Sequence, residues 1–203
     1  MVYLVDDEPG MLKALTRLLQ AEDFTVQAFT SVSAFLAAYR PGGAACLVLD
    51  VALPEMDGPS LQRRLAEGGD PLPIVFLTGH GDIAMAVRAM KSGAIDFLTK
   101  PIEDNILLRA VREALRVAQL RLGNESANAD LQARLATLTS RERQVLDRVV
   151  AGRLNKQTAA ELSVSLQTVK IHRMRMMEKM GFASVADLVR AAERADLSPA
   201  DTA

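Results

Sequence analysis

The chain has 203 residues, 49% of them hydrophobic and only 4% aromatic, with no Trp and a formal net charge of -1, which is enough for two modest cores. A single cysteine, Cys46, excludes an intrachain disulfide framework, and the lack of an apolar run of about 18 residues excludes a membrane-spanning helix. No charged-then-apolar leader precedes the first apolar run, so the expected location is cytoplasmic, with no membrane partner.

In chain order, Met1-Val2-Tyr3-Leu4-Val5 is apolar, rich in strand formers and too short for a helix, and it stops at Asp6-Asp7-Glu8. Cys46-Leu47-Val48-Leu49 repeats the pattern and ends at Asp50; Pro73 to Leu77 ends at Thr78; Ile95 to Thr99 ends at Lys100. Helix-period segments lie between and around these runs, near 10–21, 32–39, 58–67, 82–92 and 103–121. A fivefold alternation of this kind predicts a five-stranded, doubly wound parallel α/β sheet. Ligands of such sheets gather outside the carboxyl ends of the strands, so Asp6, Asp7, Asp50, Thr78 and Lys100 are expected to share one pocket.

Taken singly, an Asp after a strand reads as a helix cap or a turn residue. The conjunction reads differently, because packing three carboxylates together is costly without a cation. Mg²⁺ suits such a site, since it takes a few oxygen ligands and keeps waters for a phosphate donor. A lysine and a threonine hydroxyl beside it supply a positive charge and a hydrogen bond for phosphate oxygens. The chemistry is that of a Mg²⁺-dependent phosphoryl acceptor.

The segments Val5-Asp6-Asp7-Glu8-Pro9, Leu49-Asp50-Val51-Ala52-Leu53-Pro54-Glu55-Met56-Asp57-Gly58, Thr78-Gly79-His80-Gly81 and Asp96-Phe97-Leu98-Thr99-Lys100-Pro101 together resemble the receiver domain of bacterial two-component response regulators, whose fold is flavodoxin-like. The resemblance spans about 120 residues. It implies that Asp50 is the phosphoacceptor, that Asp7, Asp50 and the carbonyl of Ala52 hold Mg²⁺ with Asp6 helping through water, and that Thr78 and Lys100 bind the acquired phosphoryl group. It also implies that Phe97 is the aromatic switch residue and that the Lys100-Pro101 bond is cis. His80 reads either as a solvated loop residue or as one that tunes water access, and Gly79 and Gly81 suit a flexible loop.

Charge shifts along the chain: residues 1–120 hold 11 basic against 15 acidic side chains, and residues 137–203 hold 11 against 8. From Arg141 to Lys179 the balance is nine to four, which invites a polyanionic partner. Gly123-Asn124 is expected to end the long fifth helix, leaving 121–137 as a connector, itself helical through Leu131, Leu135 and Leu138. Thr139-Ser140-Arg141-Glu142 is a capping-box pattern that opens a helix closed by Gly152. Asn155 to Leu162 is a short helix, Ser163-Val164-Ser165 a turn, and Leu166 to Met180 a longer basic helix ended by Gly181; Ser184 starts a fourth. Residues 138–203 therefore predict a small all-α helix-turn-helix domain, in which the second helix of the motif enters the major groove of DNA.

On that helix Val169, Met176 and Met180 form a stripe suited to a core, while Lys170, Ile171, Met174, Arg175 and Glu178 face the other way, bordered by Arg173. Leu138 to Glu142, Asn155-Lys156 and Thr168 to Arg173 resemble the LuxR-type DNA-binding domain, and with a receiver they resemble the NarL/FixJ family; the spacing of Met85 to Lys91 and Gly93 to Phe97 looks FixJ-like. Thr158 departs from that pattern, standing where an aliphatic residue is usual. The resemblance implies that Lys170, Ile171 and Met174 face base edges and that Arg173, Arg175 and Lys156 hold phosphates. His172 reads as a packing or phosphate-contact residue, because no Cys or second His lies near it.

The function implied is a phosphorylation-controlled transcription regulator rather than an enzyme. Its implied partners are a sensor histidine kinase, double-stranded DNA and a second copy of the chain on phosphorylation, with RNA polymerase as a further candidate. An Asp-nucleophile phosphatase would need a second acid two residues after the nucleophile, where this chain has Ala52. A regulator that works without phosphate stands as the other alternative, opposed by the full set of acids, Thr and Lys.

Overall fold

The computed structural model describes residues 1–69, 72–79 and 83–195. His80 and Gly81 lie outside the described residues, as does the end of the helix-turn-helix region beyond 195. The chain divides into two compact units, Met1–Gly123 and a second that begins at Asn124.

In the first unit, β1 (Val2–Val5), β2 (Val26–Phe29), β3 (Cys46–Asp50), β4 (Ile74–Thr78) and β5 (Asp96–Thr99) form one sheet in the order β2-β1-β3-β4-β5. Every neighbouring pair is parallel. Helices α1 (Pro9–Ala21), α2 (Val32–Ala38), α3 (Gly58–Glu67), α4 (Ile83–Lys91) and α5 (Asp104–Ala136) follow the strands in turn.

Side chains alternate along each strand between two apolar layers, as a sheet covered on both faces requires. Tyr3, Val5, Leu47, Leu49, Ile74 and Phe76 pack with Val32, Phe35, Leu61, Leu65 and Ala89 of α2, α3 and α4. Val2, Leu4, Val48, Val75 and Leu77 pack with Leu12, Leu15 and Leu19 of α1 and with Leu107, Val111 and Ala114 of α5. Cys46 belongs to this second layer, and burial pushes its thiol up to about 12, so it acts as a small apolar group. The sheet order reverses between β1 and β3, which places the switch point beside the ends of those two strands.

The second unit holds α6 (Ser140–Val150), α7 (Asn155–Glu161), α8 (Leu166–Met180) and α9 (Val185–Arg194). Thr139 and Glu142 complete the reciprocal capping box of α6, and Ser165 and Ser184 cap α8 and α9 by accepting the N–H of Thr168 and Asp187. Gly181 ends α8 at φ 69°, a left-handed position that glycine adopts without steric cost. Val169, Met176 and Met180 are all fully buried, so the stripe read from the sequence does face the core, which includes Val145, Leu146, Val149 and Leu188.

One expectation is corrected. Gly123-Asn124 does not end α5, which runs unbroken to Ala136. An interior glycine costs a helix about 1 kcal/mol relative to alanine, too little to break one whose later turns bury Leu131 and Leu135 with α6, α8 and α9.

Candidate functional sites

The carboxyl ends of the strands bring together the residues that the motifs single out. Asp6 directly follows β1, Asp50 closes β3, Thr78 closes β4 and Lys100 follows β5. Asp6, Asp50 and Thr78 are buried, whereas Asp7 is exposed. Oxygens of Asp6, Asp7 and Asp50 lie within 4.8 Å of one another. The Lys100 ammonium donates to Asp6 Oδ2 at 2.7 Å and stands 3.3 Å from Asp50 Oδ1, so one cation bridges two buried acids.

Burial pushes the Asp50 carboxyl above its ordinary value, and the neighbouring charges of Asp6 and Asp7 act in the same direction against the pull of Lys100. Burial works against the Lys100 charge, yet the hydrogen bond to Asp6 and the charges of Asp50 and Asp6 outweigh it, and its pKa is raised. One ammonium among three carboxylates leaves the pocket short of positive charge. All the donors are hard oxygens, so the residues present fit Mg²⁺.

The surrounding residues hold this geometry. Glu8 donates its backbone N–H to Asp6 Oδ1 at 2.9 Å and brings its carboxylate to 3.9 Å from Lys100, a contribution that the sequence reading missed. Ala52 is exposed in the loop after β3. That loop returns at Gly58, where an added Cβ would meet Phe76 Cε1 at 2.7 Å and the Asp50 carbonyl at 3.1 Å, so only glycine fits so close to the strand. Phe97 in β5 is half-buried, with its ring centroid 6.0 Å from that of Phe76. The Lys100–Pro101 peptide is cis, as the receiver resemblance implies.

In the second unit, α7, the turn at Ser163 and α8 form the helix-turn-helix, with Ser163 itself at φ 53°. Lys156 on α7 and Lys170, Ile171, Met174 and Arg175 on α8 are exposed. Arg173 is half-buried and donates from Nη1 to Asn155 Oδ1 at 2.7 Å, tying α8 to the start of α7. Thr158 is buried, and His172 is half-buried with its Nδ1 lacking a hydrogen-bond partner among the described residues.

Lys179, the last basic residue of α8, is committed elsewhere: its ammonium donates to Glu142 Oε2 at 2.6 Å and to the Thr137 carbonyl at 3.1 Å. The Lys179 bond to Glu142, with the N–H of Thr139, holds the buried Glu142 carboxyl down at about 2. The capping box was legible in the sequence. The lysine that completes it, 37 residues further on, carried no local signal.

A parallel 2-1-3-4-5 sheet with this acidic pocket defines a receiver of the response-regulator class. The family described as "Response regulator receiver domain" matches residues 2–112, and that described as "Bacterial regulatory proteins, luxR family" matches 136–192. Over 193 residues the chain is 48% identical to the response regulator protein TmoT of Ectopseudomonas mendocina, covering 95% of this chain and 88% of that protein. Over 196 residues it is 40% identical to the transcriptional regulatory protein FixJ of Bradyrhizobium diazoefficiens, covering 97% and 96%. Among solved structures, the response regulator StyR matches with a TM-score of 0.81 at 42% identity, over 95% of this chain and 98% of that one. The chain belongs to the FixJ-like response regulators: it is a DNA-binding transcriptional regulator of a two-component system, in a family of transcription factors rather than of enzymes. No helix among the described residues is long and apolar enough to cross a membrane.

Proposed function

We propose that Asp50 accepts a phosphoryl group from a partner histidine kinase and that this modification controls dimerisation and operator binding. The observation that carries the reading is the Lys100 ammonium held within 3.3 Å of both Asp6 and Asp50 where three carboxylates converge. An Asp50 oxygen attacks the donor phosphorus, the P–N bond of the phosphohistidine breaks, and the released imidazole takes a proton from water. Lys100 then exchanges its carboxylate contact for a phosphoryl oxygen, with the Thr78 hydroxyl binding a second one.

Asp7, Asp50 and the Ala52 carbonyl would hold Mg²⁺ directly and Asp6 through water; the ion supplies neutralisation of the charge gathered on the phosphoryl oxygens. Phe97 turns inward as the Thr78 hydroxyl moves toward the phosphate. The exposed apolar side chains of α4, Ile83, Val87 and Met90, support pairing of two receivers through α4 and β5.

We assign residues 1–120 to the receiver, 121–137 to the connector and 138–203 to the DNA-binding domain, with RNA polymerase a further partner and the cytoplasm the working compartment. On DNA, Lys170, Ile171 and Met174 meet base edges while Lys156, Arg173 and Arg175 hold phosphates. Incubation with acetyl phosphate and Mg²⁺ tests the acceptor: the wild type is labelled and Asp50→Asn, which keeps the shape but lacks the nucleophile, is not. Equal labelling of the two refutes the assignment.

A further inference from the structure

Helix α8 presents to solvent, beside Lys170 and Arg175, an uncharged side chain whose pairing capacity goes unused among the described residues. Gln167 sits at the second position of the helix, is exposed, and its side-chain amide makes no hydrogen bond among the described residues. Its neighbours at the cap are committed: Ser165 Oγ accepts the Thr168 N–H at 3.0 Å, and the two hydroxyls lie 2.8 Å apart. At about 100° per residue, Gln167, Lys170, Ile171 and Met174 fall within about 100° of one another, opposite the fully buried Val169, Met176 and Met180. Over its first turns the outward face thus carries one amide and one ammonium beside two apolar chains, Ile171 at 38% and Met174 at 63% exposure, with the exposed Glu178 on the same face near the other end of the helix.

The chemistry of that face is selective. A Gln amide donates and accepts in the geometry that matches adenine N6 and N7, Lys donates to guanine O6 and N7, and aliphatic side chains meet thymine methyls. From Gln167 to Met174 the helix rises about 10 Å at ~1.5 Å per residue, the length of about three base pairs at ~3.4 Å each. The N-terminal residues of such a helix are the ones that meet base edges. Gln167 is therefore better placed for base contact than Arg175, which lies later on the flank.

We propose that Gln167 is a specificity-determining residue of the DNA interface and reads an adenine adjacent to the base contacted by Lys170. The proposal rests on the reading of α8 as the helix that enters the major groove.

Selection of binding sites from a random-sequence DNA pool, with full-length protein, acetyl phosphate and Mg²⁺, tests it. The wild type selects a motif with an adenine one or two positions from the guanine lost in Lys170→Ala. Gln167→Ala lowers discrimination at that adenine by about fivefold to 150-fold and leaves the other positions unchanged. Gln167→Arg moves the preference at the same position from adenine to guanine, a gain that a structural role for Gln167 does not produce. If Lys170→Ala alters the motif while both Gln167 variants return the wild-type one, or if they act at a base other than adenine, the proposal is overturned and the interface reading stands. A wild type that selects no sequence removes the interface reading, and the proposal with it.

Discussion

Replacing Glu142 by Gln separates the charge of the α6 cap from its shape. The amide can still accept the Thr139 N–H, but the Lys179 ammonium loses the carboxylate it meets at 2.6 Å. Glu142 is 3% exposed, and its pKa falls from 4.5 to about 2, a depression that corresponds to about 3 kcal/mol. Lys179 is 35% exposed, so water screens part of the interaction, and we expect Glu142→Gln to cost about 1 to 2 kcal/mol at pH 7. The sign with pH follows from the direction of the shift. A depressed folded pKa contributes stability that is complete above pH 4.5 and is lost as pH falls toward 2. Urea-dependent hydrogen exchange of peptides from α6 and α8 in the full-length protein measures opening of this unit without requiring the whole chain to unfold in one step. The variant should open at lower urea than the wild type at pH 7, and the gap should shrink at about pH 3. Equal midpoints at pH 7, or a gap that does not change with pH, would refute the reasoning.

The remaining perturbations probe the pocket, the loop and the interface. Lys100→Met removes the one cation among the described residues that is bonded to Asp6 and Asp50, so Mn²⁺ titrated into the apo protein should bind more tightly than to the wild type; unchanged affinity would mean that Lys100 does not compete with the metal. Gly58→Ala drives a Cβ to 2.7 Å from Phe76 and 3.1 Å from the Asp50 carbonyl, and should destabilise the receiver by about 1 to 3 kcal/mol and slow labelling by acetyl phosphate; a melting curve and labelling rate like the wild type would contradict the crowding. Lys170→Ala should cost about 1 to 3 kcal/mol on the preferred operator and relax its sequence, whereas Arg175→Ala should weaken all sequences alike and lower the salt slope by about one. Filter binding across a salt series distinguishes the two, and matching selectivity profiles for wild type and Lys170→Ala would reject base reading.

The parts of the fold legible in the sequence are those where burial imposes a continuous local pattern. β1, β3 and β4 are covered on both faces, so each reads as an unbroken apolar run that ends abruptly at a polar residue, and those ends are what place Asp6, Asp50 and Thr78 together. β2 is different: Val26-Gln27-Ala28-Phe29 lies at the sheet edge, with its two middle residues exposed, and no run of its own announced it. The end of α5 was misread for a related reason. Gly123 is a genuine local stop signal, but Leu131 and Leu135 are held by helices that come later in the chain, and packing of that kind outweighs a propensity of about 1 kcal/mol.

The same division runs through the charged residues. Lys100 could be placed in one pocket with Asp6, 94 positions away, because the parallel-sheet topology sends both to the carboxyl ends of the strands, and that topology follows from the alternation of elements. Lys179 could not be paired with Glu142, nor Arg173 with Asn155, because no comparable rule fixes which turns of adjacent helices meet. Counting basic residues along α8 therefore overstates what is free to meet DNA: Lys179 is bonded to Glu142 and Arg173 to Asn155, so Lys170 and Arg175 are the cations of that helix that point to solvent without a partner among the described residues. If α8 enters the major groove as proposed, Lys170 shares sequence readout with the uncharged Gln167, Ile171 and Met174, and substitutions at these positions should change which operators are bound more than how tightly DNA in general is held.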